Sequence, residues 1–526
     1  MGETDFELAD KTEVVERDGS TSPTAPAGPR RFKKDEAILA RFGKRQQLRR
    51  GFGLLPVIGL TSTLMITWEV ITATLLNGLE NGGPAGLIYG YLFVWVGATL
   101  QACVMGEMAS MIPLAGGPFN WVAILSPPWC KKFLSYLAGW LTVITWQALV
   151  AGTAYVSGTL IQGLLILNYP DYGYQRWHGT MLFYSALAFA LFVNTYLGRL
   201  LPRIESCMLF FHVLGFFGIL IPLIYLAPHR PASEVFGNFL NTGDFKTSGL
   251  SFFVGLVTAM DAFPGLDAAD HIAEEIQNAP MVIPLSMGIS TTLNGTLGFA
   301  MLIALMFCMP ADISNTLDSD TYYPFITIYQ YAVGSSAGAT AMASIIIVTQ
   351  FFATVGIVAT ASRMLWAFAR EGGLPGSKYI AKVNQRTYLP LYAIGTTAII
   401  NILLALINIG SAVGFGAFIS LIVASYYSSF ILAASVMLNK RLKTPDADIP
   451  WGPFKLGKFG VPVTILAIMY SVLGAFFSMW PTQMNPTWET MNYCVFVFGG
   501  VLIFSMLFWL VYGRKHYTGP VLEIRD

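Results

Sequence analysis

Twelve apolar runs, each of about 17 to 33 residues, recur along this chain, and that is the length needed to cross a hydrocarbon core. They fall at Leu54–Leu76, Leu87–Ser110, Phe133–Leu165, Met181–Leu197, Ser206–Leu226 and Leu250–Ala269 in the first half. The second half repeats the pattern at Leu285–Met309, Ala339–Phe368, Leu389–Leu406, Val413–Leu438, Val461–Trp480 and Tyr493–Tyr512. The chain is 12% charged with a mean hydropathy of +0.58, whereas soluble proteins carry about 25% charged residues. Water is therefore not the solvent for most of its surface. The pattern predicts an all-α polytopic membrane protein that contacts the lipid bilayer.

Charge placement tests the span count independently. With the N-terminus inside, 28 of the 31 Lys and Arg residues fall on one side. The opposite side receives only Arg176, Arg230 and Lys246. The positive-inside rule predicts that asymmetry, and one missed or invented span would scramble it downstream. Both termini are expected to be cytosolic, in a multi-pass protein of the plasma membrane.

Residues 1 to about 29 are rich in Asp, Glu, Thr, Ser, Pro and Gly and are expected to be disordered. They lack an apolar core, so the first span is expected to act as the insertion signal. A basic stretch, Arg30 to Arg50, completes a tail over residues 1–50. A ten-span core is expected over 51–438, the last two spans over 439–513, and a cytosolic C-terminal tail over 514–526. The net charge of +1 argues against a nucleic-acid partner. Cys103, Cys130, Cys207, Cys308 and Cys494 show neither disulfide nor metal-ligand spacing and read as small buried hydrophobes. No metal or cofactor is expected.

Acidic residues inside the spans point to a pathway. Glu69 lies in the first span and Asp261 in the sixth, while Glu107, Asp267 and Asp270 sit nearer span ends. No Lys or Arg occupies a span centre, so these acids are expected to lack a basic side-chain partner. An ionisable group in the bilayer costs several kcal/mol unless it faces a cavity or a partner; the plainer alternative is a protonated carboxyl bonded to nearby backbone. The same two spans carry helix-breaking chemistry. Span 1 contains Gly59, Leu60, Thr61, Ser62 and Thr63, a glycine followed by three hydroxyl residues within five positions. Span 6 contains Ala259, Met260, Asp261, Ala262, Phe263 and then Pro264-Gly265. Interrupted helices at matching places in two halves are the best sequence pointer to a transporter site. Free N–H ends suit a carboxylate, and freed carbonyls with an acid suit an ammonium. These residues, with Glu69 and Gly265, are the candidate substrate contacts. Trp140, Thr145, Trp146 and Gln147 of span 3, and Thr354 and Thr360 of span 8, are further candidates; packing aromatics and hydroxyl back-bonding are the alternatives.

Several motifs resemble the amino acid–polyamine–organocation superfamily, in particular its fungal amino acid/choline (GABA/choline permease-like) transporters. They are Asn81-Gly82-Gly83-Pro84, the stretch Gly106 to Pro118, Leu266 to Glu275, Ser362 to Pro375, and Gly452 to Gly457. The resemblance runs from Leu54 to Tyr512. It implies a LeuT-like fold of two inverted five-helix repeats, about 54–226 and 250–438, plus two helices, with discontinuous helices 1 and 6. It also implies proton-coupled uptake by alternating access of an amino acid, GABA, choline or related zwitterionic or cationic solute. Glu107, Glu274 and Glu275 match motif positions near the cytosolic face and, with Asp267, are expected to gate or pack. Glu69 and Asp261 stand where the family is expected to carry apolar or aromatic residues, and this tilts the expected cargo toward a cationic amine, polyamine or alkaloid-like compound.

An enzyme would need convergent catalytic groups, but His178, His212, His229, His271 and His516 are scattered. The competing readings are an exporter of a cationic pathway metabolite and a nutrient sensor on the same fold.

Overall fold

The computed structural model describes residues 30–410, 414–488, 490–517, 519 and 520. The expected disorder of residues 1 to about 29 lies outside the described residues. Among the described residues, eleven helices are long and apolar enough to cross a membrane. Spans 1 to 5 are Leu54–Ala73, Gly83–Met111, Lys131–Asn168, Arg176–Tyr196 and Gly198–Leu226. Spans 7 to 9 are Ala279–Cys308, Ser336–Arg370 and Leu391–Gly410. Spans 10 and 11 are Gly414–Lys443 and Gly460–Phe477, and span 12 runs over Cys494–His516. The twelfth apolar run is Ser248–Met260 (span 6a), which resumes after an irregular stretch as the short helix Ala268–His271 (span 6b). The predicted runs are thus helical with ends displaced by a few residues, except that the first and the sixth are interrupted within the run.

Span 1 is also discontinuous, but not where its glycine and hydroxyls suggested. Gly59, Leu60, Thr61, Ser62 and Thr63 are all helical within span 1a, Leu54–Met65. The chain turns at Ile66 and restarts as span 1b, Thr67–Ala73. The hydroxyls stay within the helix by bonding back to carbonyls one turn earlier, Thr61 to Val57 and Thr63 to Gly59. Gly59 is there for packing: a Cβ at that position would stand 2.6 Å from the Glu205 carbonyl oxygen of span 5.

The basic stretch is ordered from Arg30, forming the helix Arg30–Arg41. Its Asp35 carboxylate accepts from the Asn278 N–H, and Leu39 is buried. Among the cysteines, Cys130, Cys308 and Cys494 are buried, whereas Cys207 is exposed on the outer face of span 5. Spans 7 and 11 pack on span 2, and spans 8 and 10 pack on span 3. Span 1a packs on spans 5, 7 and 8, and span 6a on spans 2 and 11.

Candidate functional site

The two interruptions meet. Ile66 adopts φ 36° and ψ 49°, a left-handed conformation that costs a β-branched residue about 1–3 kcal/mol. Opposite it, Gly265 sits at φ 97°, and a Cβ there would lie 3.3 Å from the Leu64 carbonyl carbon. The Thr67 hydroxyl donates to the Ala262 carbonyl at 2.8 Å, joining the two breaks directly. Phe263 packs on Tyr91 of span 2 with ring centroids 5.7 Å apart.

Beside this junction lies a small, partly open cavity. Span 1 contributes Leu64, Met65, Ile66, Val70 and Thr74, and the span 6 break contributes Asp261 and Pro264. Span 3 supplies Leu149, Gly152, Thr153 and Val156, span 8 supplies Gln350, and span 10 supplies Ile419 and Ile422. Asp261 is the single ionisable group in this lining, and among the described residues its carboxylate has neither a hydrogen bond nor an ion pair. A mostly apolar concavity with a few convergent polar groups is the usual form of a small-molecule site. The chemistry it offers is one negative charge, three neutral polar side chains and aliphatic walls.

The other candidate residues lie around the junction rather than in the cavity lining. Thr63 donates to the Glu205 carboxylate at 2.7 Å, and Ser62 to the Ser290 hydroxyl of span 7 at 3.0 Å. Gly59, Leu60, Ala259 and Met260 are buried in helix packing. Glu69 is not without a partner: its Oε1 lies 2.7 Å from His212 Nδ1 of span 5, and both side chains are fully buried. The expectation of an unpaired acid overlooked that histidine. Trp68 packs across the same imidazole. On the helix Pro324–Val333, burial and the neighbouring Glu69 carboxylate push the Tyr329 phenol well above its ordinary pKa.

The polar and aromatic candidates of spans 3 and 8 pack within the protein. Trp140 sits against Tyr136, Phe368 and Phe504, and Trp146 against His271. Gln147 bonds Thr397 and Asn401 of span 9. Thr354 and Thr360 donate to the carbonyls of Gln350 and Gly356 one turn back.

The motif acids assemble on the face that carries the N-terminal segment. Glu107 of span 2 pairs with Arg441 of span 10 and accepts from the Leu456 N–H at 2.7 Å. Glu274 takes two hydrogen bonds from Arg370, at 2.6 and 3.1 Å, and Glu275 takes one from Arg363 at 2.8 Å. Lys44 pairs with Glu371. The Gly51 and Phe52 N–H groups both donate to the Glu275 carbonyl, and the Gln277 N–H donates to the Phe52 carbonyl. The motif acids are therefore halves of ion pairs that join span 2 to span 10 and the segment just after span 6b to span 8. Asp267 of the span 6 break bonds His271 at 3.2 Å.

A bundle of this length, with two broken helices meeting beside an acidic cavity, defines a membrane transporter. The chain belongs to the amino acid permease family, which matches residues 52–502. It is 31% identical to the choline transporter of Saccharomyces cerevisiae over 475 residues, 89% of this chain and 83% of that protein. It is 27% identical to the GABA-specific permease of the same yeast over 501 residues, covering 94% and 86% of the two chains. It is also 27% identical to amino-acid permease 2 of Neurospora crassa over 471 residues, covering 89% and 84%. The protein is thus a membrane transporter of the amino acid permease family, not an enzyme.

Proposed function

We propose that the protein carries a small solute bearing a protonated nitrogen, an amine or an amino acid, into the cell by alternating access. Asp261 meets the ammonium. The observation that carries this reading is its carboxylate, lining the cavity between the two helix breaks without a partner. The walls from Leu149, Val156, Ile419 and Ile422 suit a compact aliphatic body, and Thr74, Thr153 and Gln350 offer hydrogen bonds to its polar end. Residues 54–226 and 250–438 act as two inverted five-span units, each led by its broken helix. The N-terminal segment lies on the cytosolic side of the plasma membrane; the basic asymmetry of the loops supports that orientation.

The solute enters with a proton. Support comes from the Glu69–His212 pair, a fully buried carboxylate and imidazole braced against span 1b just past the break. Uptake of labelled choline, GABA, amino acids and polyamines into a yeast lacking its own permeases tests both parts. Accumulation of at least one cationic or zwitterionic compound is expected, faster in acidic than in neutral medium and lost with a protonophore. Uptake indifferent to both would make the protein a uniporter, and no uptake of any of them would overturn the cargo class.

A further inference from the structure

Among the described residues six glutamates are buried, and five of them face a basic side chain. Glu69 meets His212, Glu107 meets Arg441, Glu274 meets Arg370, Glu275 meets Arg363 and Glu371 meets Lys44. The sixth, Glu205 of span 5, has no such partner. Its Oε2 accepts a hydrogen bond from the Thr63 hydroxyl of span 1a, and Oε1, beside Gly356 of span 8, has no hydrogen-bond partner among the described residues. The elements packed on span 5 turn no free charge toward it. Spans 1a and 7 contain no Asp, Glu, Lys, Arg or His. On span 8, Arg363 and Arg370 are engaged by Glu275 and Glu274. On the helix Pro324–Val333, Tyr329 lies near Glu69 and Tyr331 is exposed. On span 5 itself, Arg199, Arg203 and Cys207 are exposed and His212 is bonded to Glu69.

Span 5 thus presents two titratable side chains to span 1, one on either side of the break at Ile66. Glu205 meets Thr63 before the break, and His212 meets Glu69 beyond it. They share one face of span 5, about 10 Å apart at the α-helical rise. Met208 and Leu209 are buried between them and carry no group that passes a proton. Glu205 also stands about 10 Å in from Gly198, where span 5 begins on the face that carries the N-terminal segment. A carboxylate inside the bundle with one hydrogen bond and no cation is costly as an anion, and such a group keeps its proton instead.

We propose that Glu205 is the inner proton site of the transport cycle, as the Glu69–His212 pair is the outer one. The proposal rests on the proton-coupled reading and adds a second group to it. While span 1a is packed on span 5, the Glu205 carboxyl holds a proton. When span 1a swings away, Thr63 leaves with it and water from the cytosolic side reaches the carboxyl. The proton passes to that water and a carboxylate remains. It takes up the next proton as the outer pair gives one up across the hinge, and span 1a closes again on a neutral group.

The full-length protein in proteoliposomes tests this in two ways. In infrared spectra at neutral pH, the wild type should show the carbonyl stretch of a protonated carboxyl that isotope-labelled glutamate displaces, and Glu205→Gln should lack it. The labelling needs no substitution and decides the point even where the variant fails to fold. In transport, with the membrane potential clamped at zero, an interior more alkaline by about one pH unit should drive about tenfold accumulation at one proton per solute. The probes are labelled choline, GABA, lysine and putrescine. Glu205→Gln should keep the exchange of internal for external label and lose the accumulation, and Glu205→Asp should regain part of it. A wild type without that band, a band that Glu205→Gln retains, undiminished accumulation in Glu205→Gln, or loss of exchange together with accumulation at an unchanged melting temperature would each overturn the proposal. Wild-type uptake indifferent to the gradient would instead bring down the coupling reading, and the inner site with it.

Discussion

Replacing Asp261 by Asn keeps shape and a carbonyl acceptor but removes the only charge lining the central cavity. An ammonium about 4 Å from a carboxylate at an effective dielectric of 20 gains about 4 kcal/mol. The amide oxygen recovers about 1 kcal/mol as an ordinary hydrogen bond. The difference of about 3 kcal/mol corresponds to a rise in KM of about 100-fold for a cationic cargo, with little change at saturating substrate. The assay is concentration-dependent uptake of the best amine in the permease-deficient yeast, with surface protein quantified in parallel. Asp261→Glu, which retains the charge on a longer arm, should fall between the two. Wild-type KM in Asp261→Asn at equal surface abundance would refute the argument, because no other group in the lining can substitute for that charge.

Three further outcomes follow from the same geometry. Glu69→Gln removes the acid facing His212 but leaves the cavity lining intact, so uptake should persist and lose its acceleration by acid; an unchanged pH profile would dissociate the pair from coupling. Gly265→Ala forces a Cβ onto the span 1 backbone at a φ of 97°. It should cost about 1–3 kcal/mol in thermal stability and depress the maximal uptake rate; a wild-type melting curve and rate would count against the contact between the breaks. Glu274→Gln replaces the two charge-assisted bonds to Arg370 by a neutral amide, while Glu371 at 4.0 Å and the Trp366 ring still face the guanidinium, and should destabilise by about 1.5–3 kcal/mol. The double change Glu274→Leu with Arg370→Met should recover most of that loss in melting temperature, and failure to recover would show that the pair does more than neutralise charge.

The twelve spans were legible because about twenty apolar residues in a row have few ways to satisfy their backbone in lipid other than a helix. The break in span 6 was legible for a local reason: Pro264-Gly265 cannot continue a helix. Span 1 breaks at Ile66, between methionine and threonine, and nothing in those residue types announces a left-handed turn. The cause lies across the bundle, in the Thr67 bond to Ala262 and the close approach of Gly265. Gly59 drew attention to the wrong turn because a glycine that admits a neighbouring backbone looks the same in sequence as one that ends a helix. Glu69 stood out as an acid in an apolar run, but its partner lies 143 positions away, beyond any periodicity. The cavity walls on spans 3 and 10 left no trace, since aliphatic residues facing a solute and those facing lipid are of the same kind. The motif acids could be ranked as important, yet only the fold shows that Glu107 meets Arg441 and Glu274 meets Arg370.

The stitch between Gly51-Phe52 and Glu275-Gln277 has a mechanical meaning. Span 1a begins just after it, and span 6b ends just before it. The inner ends of the two broken helices are therefore yoked, and neither can swing without dragging the other. On the alternating-access reading proposed above, opening toward the face that carries the N-terminal segment is a single concerted stroke, and a pull on that segment is felt at both hinges at once.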